Sequence, residues 1–169
     1  MLDVVHFHPM VVHFPVALLL ISALFEVVYL INKDPFYRRA GFYLFVMGAL
    51  GIVAAVITGN LAEEAAEREA IERFIEAHEE AGQLTLVLTI ITFIVRIALK
   101  VMDKYHGIYQ WIFLTLFAIS IAAMVRTAYL GGELVYTHGA GVQWQAIGTE
   151  TVQPAGTFQQ EEHEEEDDD

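Results

Sequence analysis

The sequence predicts an all-α integral membrane four-helix bundle with an extra amphipathic acidic helix on the extracytoplasmic side. Apolar residues make up 56% of the 169-residue chain, more than the roughly 45–50% of an average soluble domain. The excess is concentrated in four blocks, each near the roughly 20 residues that a membrane-spanning helix needs. Glutamates fill the interval between the second and third blocks. These observations predict four helical spans and one polar helix outside the membrane.

The four spans are predicted over residues 10–31, 40–58, 83–101 and 108–130. Together with the acidic helix, predicted over residues 61–81, they form one transmembrane domain over residues 1–145. Residues 146–169 are polar and end in the acidic run 161–169. A segment of this composition buries too little apolar surface to fold, so it predicts a disordered acidic tail.

Basic residues are sorted between the two sides of the predicted membrane. Five of the nine lysines and arginines lie in or directly beside the first and third connections, at Lys33, Arg38, Arg39, Lys100 and Lys104. The positive-inside rule places these two short loops in the cytoplasm. Both termini and the acidic helix then face outward from a bacterial or archaeal cell membrane. The net charge of −13 and the lack of a basic patch in the sequence exclude nucleic acid as a partner.

The segment over residues 61–81 has the pattern of an amphipathic helix. Ile71, Phe74, Ile75 and His78 recur at helical spacing, while glutamates cover the opposite side. His78 lies three residues from Ile75 and four from Phe74, so its ring belongs to the apolar face. The pattern therefore predicts that His78 is buried.

Four of the seven histidines fall at one end of the predicted spans. His8 and His13 open the first span, His78 precedes the third, and His138 follows the fourth. An even number of spans returns the chain to the side it left, so all four imidazoles should lie near the extracytoplasmic surface. Imidazole is the commonest metal ligand in proteins and a standard axial ligand of haem iron. We therefore expect these four histidines to form a cofactor or metal site.

Three interpretations of the histidines are open. They are axial ligands of one or two haem b groups held between facing helices, ligands of one tetrahedral zinc or copper ion, or partners in structural hydrogen bonds. His8 and His13 are five residues apart, which turns them by roughly 140° on an ideal helix. This offset favours haem over a single small ion. The chain has no cysteine, which excludes iron–sulfur clusters and covalently attached c-type haem.

Three charged residues lie well inside the predicted spans, away from their cytoplasmic ends, where an unpaired charge is costly. Arg126 is about one turn inside the outer end of the fourth span, where a haem propionate, Glu133 or a lipid phosphate would neutralise it. Glu26 and Arg96 lie at similar depths in the first and third spans. They are predicted to form an ion pair near the cytoplasmic side.

Two segments resemble a known family. The sequences HPMVVHFPVAL at residues 8–18 and GGELVYTHG at residues 131–139 are similar to those of the family known as domain of unknown function 2231, over roughly residues 5–145. The resemblance implies a four-helix bacterial membrane protein whose family histidines match His8, His13, His78 and His138. Some relatives are joined to a Rieske iron–sulfur domain, which implies a place in electron transfer. This chain has no cysteine for such a domain, so a redox partner must be a separate protein.

The leading functional hypothesis is a membrane-embedded b-type cytochrome with histidine-ligated haem near the extracytoplasmic face. His8, His13, His78 and His138 would be axial ligands, and Arg126 a propionate partner. Such a protein carries electrons, or serves a redox complex as a subunit, rather than acting as an enzyme by itself. Its expected partners are membrane lipid, a quinone and a basic redox protein attracted by the acidic segments. The alternatives are a zinc or copper protein using the same histidines and a cofactor-free scaffold subunit of a membrane complex.

Overall fold

The structure, a computed structural model, describes residues 4–64 and 71–140. Almost all of these residues belong to four α-helices, and no strand occurs among them. The helices are α1 (Val4–Asn32), α2 (Pro35–Glu64), α3 (Glu72–Val101) and α4 (Gly107–Tyr136). Each predicted span lies inside one of these helices, and each helix is long and apolar enough to cross a membrane. The prediction of an all-α protein with four membrane-spanning helices is confirmed.

The helices pack as two antiparallel hairpins, α1 with α2 and α3 with α4. The hairpins meet through α2 and α3 and, less closely, through α1 and α4. Helices α1 and α3 lie on the diagonal of the bundle, because no Cα atom of one comes within 8 Å of the other in the described residues. The connections 33–34 and 102–106 share one end of the bundle, here called the short-loop end. The opposite end, where α1 and α3 begin, is called the histidine end.

The turn between α1 and α2 is tight because the local sequence favours it. Lys33 has a left-handed backbone conformation with a φ of 58°. The Asp34 carboxylate accepts a hydrogen bond from the Phe36 amide at 2.8 Å, which caps the first turn of α2. Pro35 occupies that first turn, where a missing N–H group costs nothing. The chain therefore reverses direction within two residues.

Glycines on α2 allow it to approach α1 closely. A Cβ atom on Gly48 would lie 2.8 Å from the Leu19 side chain, and one on Gly51 would lie 2.9 Å from the Pro15 Cβ. Small residues at helix interfaces are typical of membrane proteins, because packing contacts rather than apolar burial hold helices together in lipid. The first hairpin is accordingly the most closely packed pair in the bundle.

The turn between α3 and α4 folds back into the bundle. Its residue Tyr105 is only 7% exposed, and the Tyr105 and Phe113 ring centroids are 5.6 Å apart. Asp103 and Gly107, on either side of Tyr105, have φ values of 50° and 55°, which lets the chain double back. Loops normally lie on the surface, so this buried tyrosine anchors the loop to the bundle interior.

The exterior of the bundle is apolar and its interior is partly polar, which suits lipid. Large apolar side chains face outward on every helix, for example Ile31, Leu50, Ile94 and Tyr129. The buried polar and charged residues are Ser22, Glu26, Thr85, Thr89, Thr92, Arg96, Gln110 and Ser120. A soluble monomer rarely exposes contiguous apolar patches of more than a few hundred Å². The four helices therefore form a multi-pass membrane protein.

The acidic helix predicted over residues 61–81 is not a separate element in the described part of the chain. Residues 61–64 complete α2, residues 72–81 begin α3, and residues 65–70 lie outside the described residues. The inward-facing stripe of the predicted helix runs in phase from the half-buried His78 to the buried Ala81 and Thr85, so it continues along one helix. The predicted tail over residues 146–169 also lies outside the described residues.

Candidate functional site

Two of the four predicted histidine ligands meet at the histidine end. The rings of His8 on α1 and His78 on α3 have centroids 6.3 Å apart and planes inclined at 76°. Their helices are diagonal partners without backbone contact, so the two imidazoles reach toward each other across the bundle interior. The prediction that His78 lies on a buried face agrees with this position.

Both rings make a hydrogen-bond contact through the Nδ1 atom. The Nδ1 atom of His8 lies within hydrogen-bond distance of the Thr58 hydroxyl, at 3.1 Å, and the same hydroxyl lies 3.0 Å from the Ala54 and Ala55 carbonyls. The Nδ1–H group of His78 donates to the Thr127 carbonyl at 3.1 Å, since a carbonyl only accepts. In the neutral form of His78 this bond leaves the lone pair on Nε2. Outer hydrogen bonds of this kind orient histidines that bind metals.

Each ring lies against a glycine. A Cβ atom on Gly59 would lie 3.2 Å from His8 Cε1, and one on Gly131 would lie 2.9 Å from His78 Cε1. Gly131 belongs to the second of the two family-like segments, at residues 131–139, whereas Gly59 belongs to neither segment. A side chain at position 131 would force the His78 ring to move, so this glycine is part of the site.

The other two predicted ligands have different surroundings. The His13 side chain is exposed, and its Nδ1 bonds the Pro9 carbonyl of its own helix. The His138 ring stacks on Phe74 with centroids 3.9 Å apart, and its buried Nε2 has no hydrogen-bond partner among the described residues. The described part of the chain contains no group of three or more His, Cys, Asp or Glu residues able to hold one ion. The four histidines are therefore not gathered around a single point.

Arg126 precedes Thr127, which contacts the histidine pair, but its side chain is turned away from the pair. Its neighbour Thr127 supplies the carbonyl that binds His78, so Arg126 lies at the same depth in the bundle. Its side chain is exposed on the outer surface of α4. In this position it does not face the space between the two rings.

A second polar cluster lies near the short-loop end. Arg96 donates a hydrogen bond to Glu26 at 2.8 Å, as the matching depths of the two residues predicted. The Tyr105 hydroxyl donates to the other Glu26 oxygen at 2.6 Å, and the guanidinium lies 3.5 Å from the Tyr105 ring centroid. Burial raises the pKa of Tyr105 above its usual value, so the hydroxyl stays protonated as a donor. No periodic pattern in the sequence indicated this tyrosine.

Both polar contacts join the diagonal helices in the same register. His8 and His78 are separated in sequence by the same 70 residues as Glu26 and Arg96. Along each helix the two contacts are 18 residues apart, which is five turns, or about 27 Å. The interior therefore has one polar contact near each end of the same parallel helix pair.

The chain belongs to the family described as predicted membrane protein DUF2231, whose model matches residues 5–144. No curated protein and no solved structure matches the chain. The match confirms the resemblance carried by the two histidine motifs and agrees with the four membrane-spanning helices. The family description names no reaction or cofactor.

Proposed function

We propose that this member of the family binds haem b through His8 and His78 and carries electrons at the histidine end of the bundle. The observation that carries the proposal is the paired geometry of the two imidazoles. A nitrogen lies about 2 Å from a metal that it binds, so two imidazoles sharing one ion have centroids roughly 6 Å apart. The observed separation is 6.3 Å. When bound, haem iron would take up and release one electron.

The number of available protein ligands favours haem over zinc or copper. A tetrahedral ion needs four donors, and the described residues offer no group of three. Haem needs only axial ligands from the protein, because the macrocycle supplies the rest. One pair of histidines implies one haem rather than two. His13 and His138 would then lie outside the primary ligand set, and Arg126 would neutralise a propionate only at the bundle edge.

The chain's own groups would hold the ligands in place. Thr58 and the Thr127 carbonyl would orient the two rings, each through the Nδ1 atom of the ring. Gly59 and Gly131 keep other side chains away from the rings. Removal of such supporting contacts typically lowers metal affinity by about 10- to 100-fold, because a ring that is free to rotate no longer holds its nitrogen toward the metal.

The charge distribution suggests how the site would face its partners. The basic short loops favour a cytoplasmic position for the short-loop end, so the haem would lie on the extracytoplasmic side. Glu72, Glu76 and Glu80 are exposed near the start of α3, close to the pair along the helix. These carboxylates would attract a basic redox protein, and salt would weaken that attraction. A membrane quinone is the proposed source of electrons.

Absorption spectroscopy tests this function. The protein is expressed with ample haem, purified in detergent and measured oxidised and reduced, and a Soret band with a sharp α band on reduction is expected. His8→Ala and His78→Ala should each remove or broaden these bands, while His13→Ala keeps them because that ring is exposed and bonded to its own helix. A wild-type protein without haem bands, or bands unchanged by both substitutions, would refute the proposal.

Elemental analysis of the same samples separates the alternatives. Zinc or copper near one per chain without iron, lost in His8→Ala, would identify a metal-ion site built on the same pair. A chain with neither metal nor haem, whose stability falls on substitution of His8 or His78, would identify the histidines as structural contacts of a scaffold subunit. Circular dichroism before each measurement shows that the variants have folded.

A further inference from the structure

A groove lies on the outward side of α2 at the short-loop end and is here called the α2 groove. Its volume is about 540 Å³, and it is lined by Asp34, Pro35, Phe36, Arg39, Ala40 and Tyr43. The groove starts at the tight turn and reaches Tyr43, about one turn inside the span predicted over residues 40–58. A phospholipid presents a charged phosphate and an apolar chain at this depth of a membrane, so the groove has the position of a lipid site.

The apolar wall of the groove continues along α2 into the span. Phe36, Tyr43, Met47 and Leu50 are all large and exposed, and spacings of seven, four and three residues keep them on one face of the helix. From Phe36 to Leu50 this face is about 21 Å long, which exceeds the roughly 15 Å depth of the hydrocarbon of one leaflet. One acyl chain can therefore lie along it.

Two cationic side chains from different hairpins flank Tyr43 at the deep end of the groove. The Lys100 ammonium on α3 lies 3.6 Å from the Phe42 ring centroid and 5.4 Å from the Tyr43 ring centroid. Arg39 lines the groove together with Tyr43, one helical turn nearer to the short loop. Both cations are exposed. An anion at the mouth of the groove would therefore meet a guanidinium from α2 and an ammonium from α3.

The other basic residues of the short-loop end lie against different helices. The Lys33 ammonium and the Arg38 guanidinium are 5.4 and 5.8 Å from the ring centroid of Tyr29 on α1. The Lys104 ammonium is 5.8 Å from the ring centroid of Tyr109 on α4. A specific site in the α2 groove can therefore be distinguished from a general attraction between this basic end and an anionic membrane.

The carboxylate of Asp34 narrows the choice of lipid. Asp34 also lines the groove, and its Oδ1 atom accepts the Phe36 amide, so its second oxygen can accept a hydroxyl of a headgroup. Two cations and one carboxylate give the groove one net positive charge. Phosphatidylglycerol matches this charge with its single negative phosphate and supplies hydroxyls, whereas phosphatidylethanolamine adds a positive ammonium of its own.

We propose that the α2 groove binds one phosphatidylglycerol molecule, with its phosphate between Arg39 and Lys100 and one acyl chain along the outward face of α2. Arginine and lysine are the usual protein partners of phosphate oxygens. Because Arg39 belongs to the first hairpin and Lys100 to the second, the bound lipid joins the two hairpins where α2 meets α3. The site lies at the opposite end of the bundle from His8 and His78 and does not depend on haem.

Native mass spectrometry of the full chain in mild detergent counts the bound lipids. Phosphatidylglycerol and phosphatidylethanolamine with identical acyl chains are added in matched series. The wild type should bind a first phosphatidylglycerol about fivefold or more tightly than phosphatidylethanolamine. Arg39→Gln and Lys100→Gln should each weaken this first binding by about fivefold, the effect expected for one basic residue close to an anionic lipid.

Matched variants separate the groove from its surroundings. Lys104→Gln removes the same charge at the same end and should leave the first binding unchanged. Ala40→Phe fills the groove without changing charge and should weaken binding, whereas Ala118→Phe, at an exposed site on α4, should not. Circular dichroism shows that each variant has folded. Equal affinity for the two lipids, equal losses in Lys104→Gln and Arg39→Gln, or unchanged binding in folded Ala40→Phe would overturn the proposal.

Discussion

Arg96 on α3 donates a hydrogen bond to Glu26 on α1 at 2.8 Å, across the diagonal of the bundle. The His8–His78 contact spans the same diagonal in the same register. Apolar side chains slide past one another in lipid at little cost, since lipid tails are as apolar as they are. The two polar contacts therefore specify how far one hairpin is displaced along the other, and the Glu26–Arg96 pair places α1 and α3 correctly for the histidines to meet.

Removing one partner of the ion pair should destabilise the protein strongly. Glu26→Ala leaves the Arg96 guanidinium buried without a carboxylate, and losses of about 3–5 kcal/mol are typical of such changes. Unfolding in mixed detergent micelles, followed by circular dichroism, measures the free energy of unfolding. Glu76→Ala removes an exposed carboxylate from the helix that carries Arg96 and should have little effect.

The double substitution Glu26→Leu with Arg96→Met separates the charge from the packing. It removes both charges and keeps similar side-chain volumes, so it should recover much of the stability lost in Glu26→Ala. A Glu26→Ala protein as stable as the wild type would show that the guanidinium finds another partner.

The Tyr105 hydroxyl should stabilise the ion pair by a measurable amount. Tyr105→Phe keeps the ring against Arg96 but removes the donor to Glu26, and a hydrogen bond to a charged group is typically worth about 1.5–3 kcal/mol. The free energy of unfolding at neutral pH gives the difference. Tyr109→Phe, at a tyrosine 42% exposed on α4, is the control. Equal stability of wild type and Tyr105→Phe would contradict the assigned hydrogen bond.

Alkaline pH should remove the stabilisation that Tyr105 supplies. Burial raises the pKa of Tyr105 in the folded state, whereas an unfolded tyrosine ionises near its usual pKa of about 10. Below that pH both states are protonated and the stabilisation is complete. Above it the unfolded state alone releases a proton, so stability falls as pH rises, by up to about 1.4 kcal/mol per pH unit. Tyr105→Phe lacks this component. The free energy of unfolding of the wild type should therefore fall more steeply with pH than that of Tyr105→Phe, and only above about pH 10.

The sequence was sufficient for the membrane helices and for one of the two polar contacts. Four apolar blocks predicted four spans, and the depths of Glu26 and Arg96 predicted their pairing. The pairing of His8 with His78 in particular was not predicted, because it depends on which face of its helix each ring occupies. His13 is turned by roughly 140° from His8 on an ideal helix, and His138 lies beyond the end of α4. The even number of spans predicted the end of the bundle at which these histidines lie, but it does not indicate which of them meet.

Periodicity and charge in the sequence do not indicate three other features of the structure. Tyr105 lies in a loop, where periodicity does not indicate burial. The glutamates before the third span predicted a separate helix. Charge does not show where a helix ends, however, and the inward-facing side chains of this segment continue in phase into the third span. Threonine is nearly neutral in hydropathy, so the polar face of α3 with Thr89 at its centre became visible only when the helices were packed.

Two adjacent glycines on α4 provide a matched test of the His78 position. A Cβ atom on Gly131 would lie 2.9 Å from His78 Cε1, whereas one on Gly132 would meet nothing within 4 Å. Replacing glycine by alanine inside a helix is worth up to about 1 kcal/mol of helix stability, and overpacking typically costs about 1–3 kcal/mol. Gly132→Ala should therefore be neutral or stabilising, while Gly131→Ala should destabilise the protein.

The two variants should also differ in ligand binding. The His78 ring is held by the Thr127 carbonyl, so it cannot move away from a new methyl group without losing that hydrogen bond. Gly131→Ala should accordingly weaken any haem bands in the absorption spectrum, and Gly132→Ala should leave them unchanged. Both proteins are compared by circular dichroism during unfolding and by the same spectra. If Gly131→Ala were as stable as Gly132→Ala, the His78 ring would not pack against this face of α4, and its contact with Thr127 would have to be abandoned.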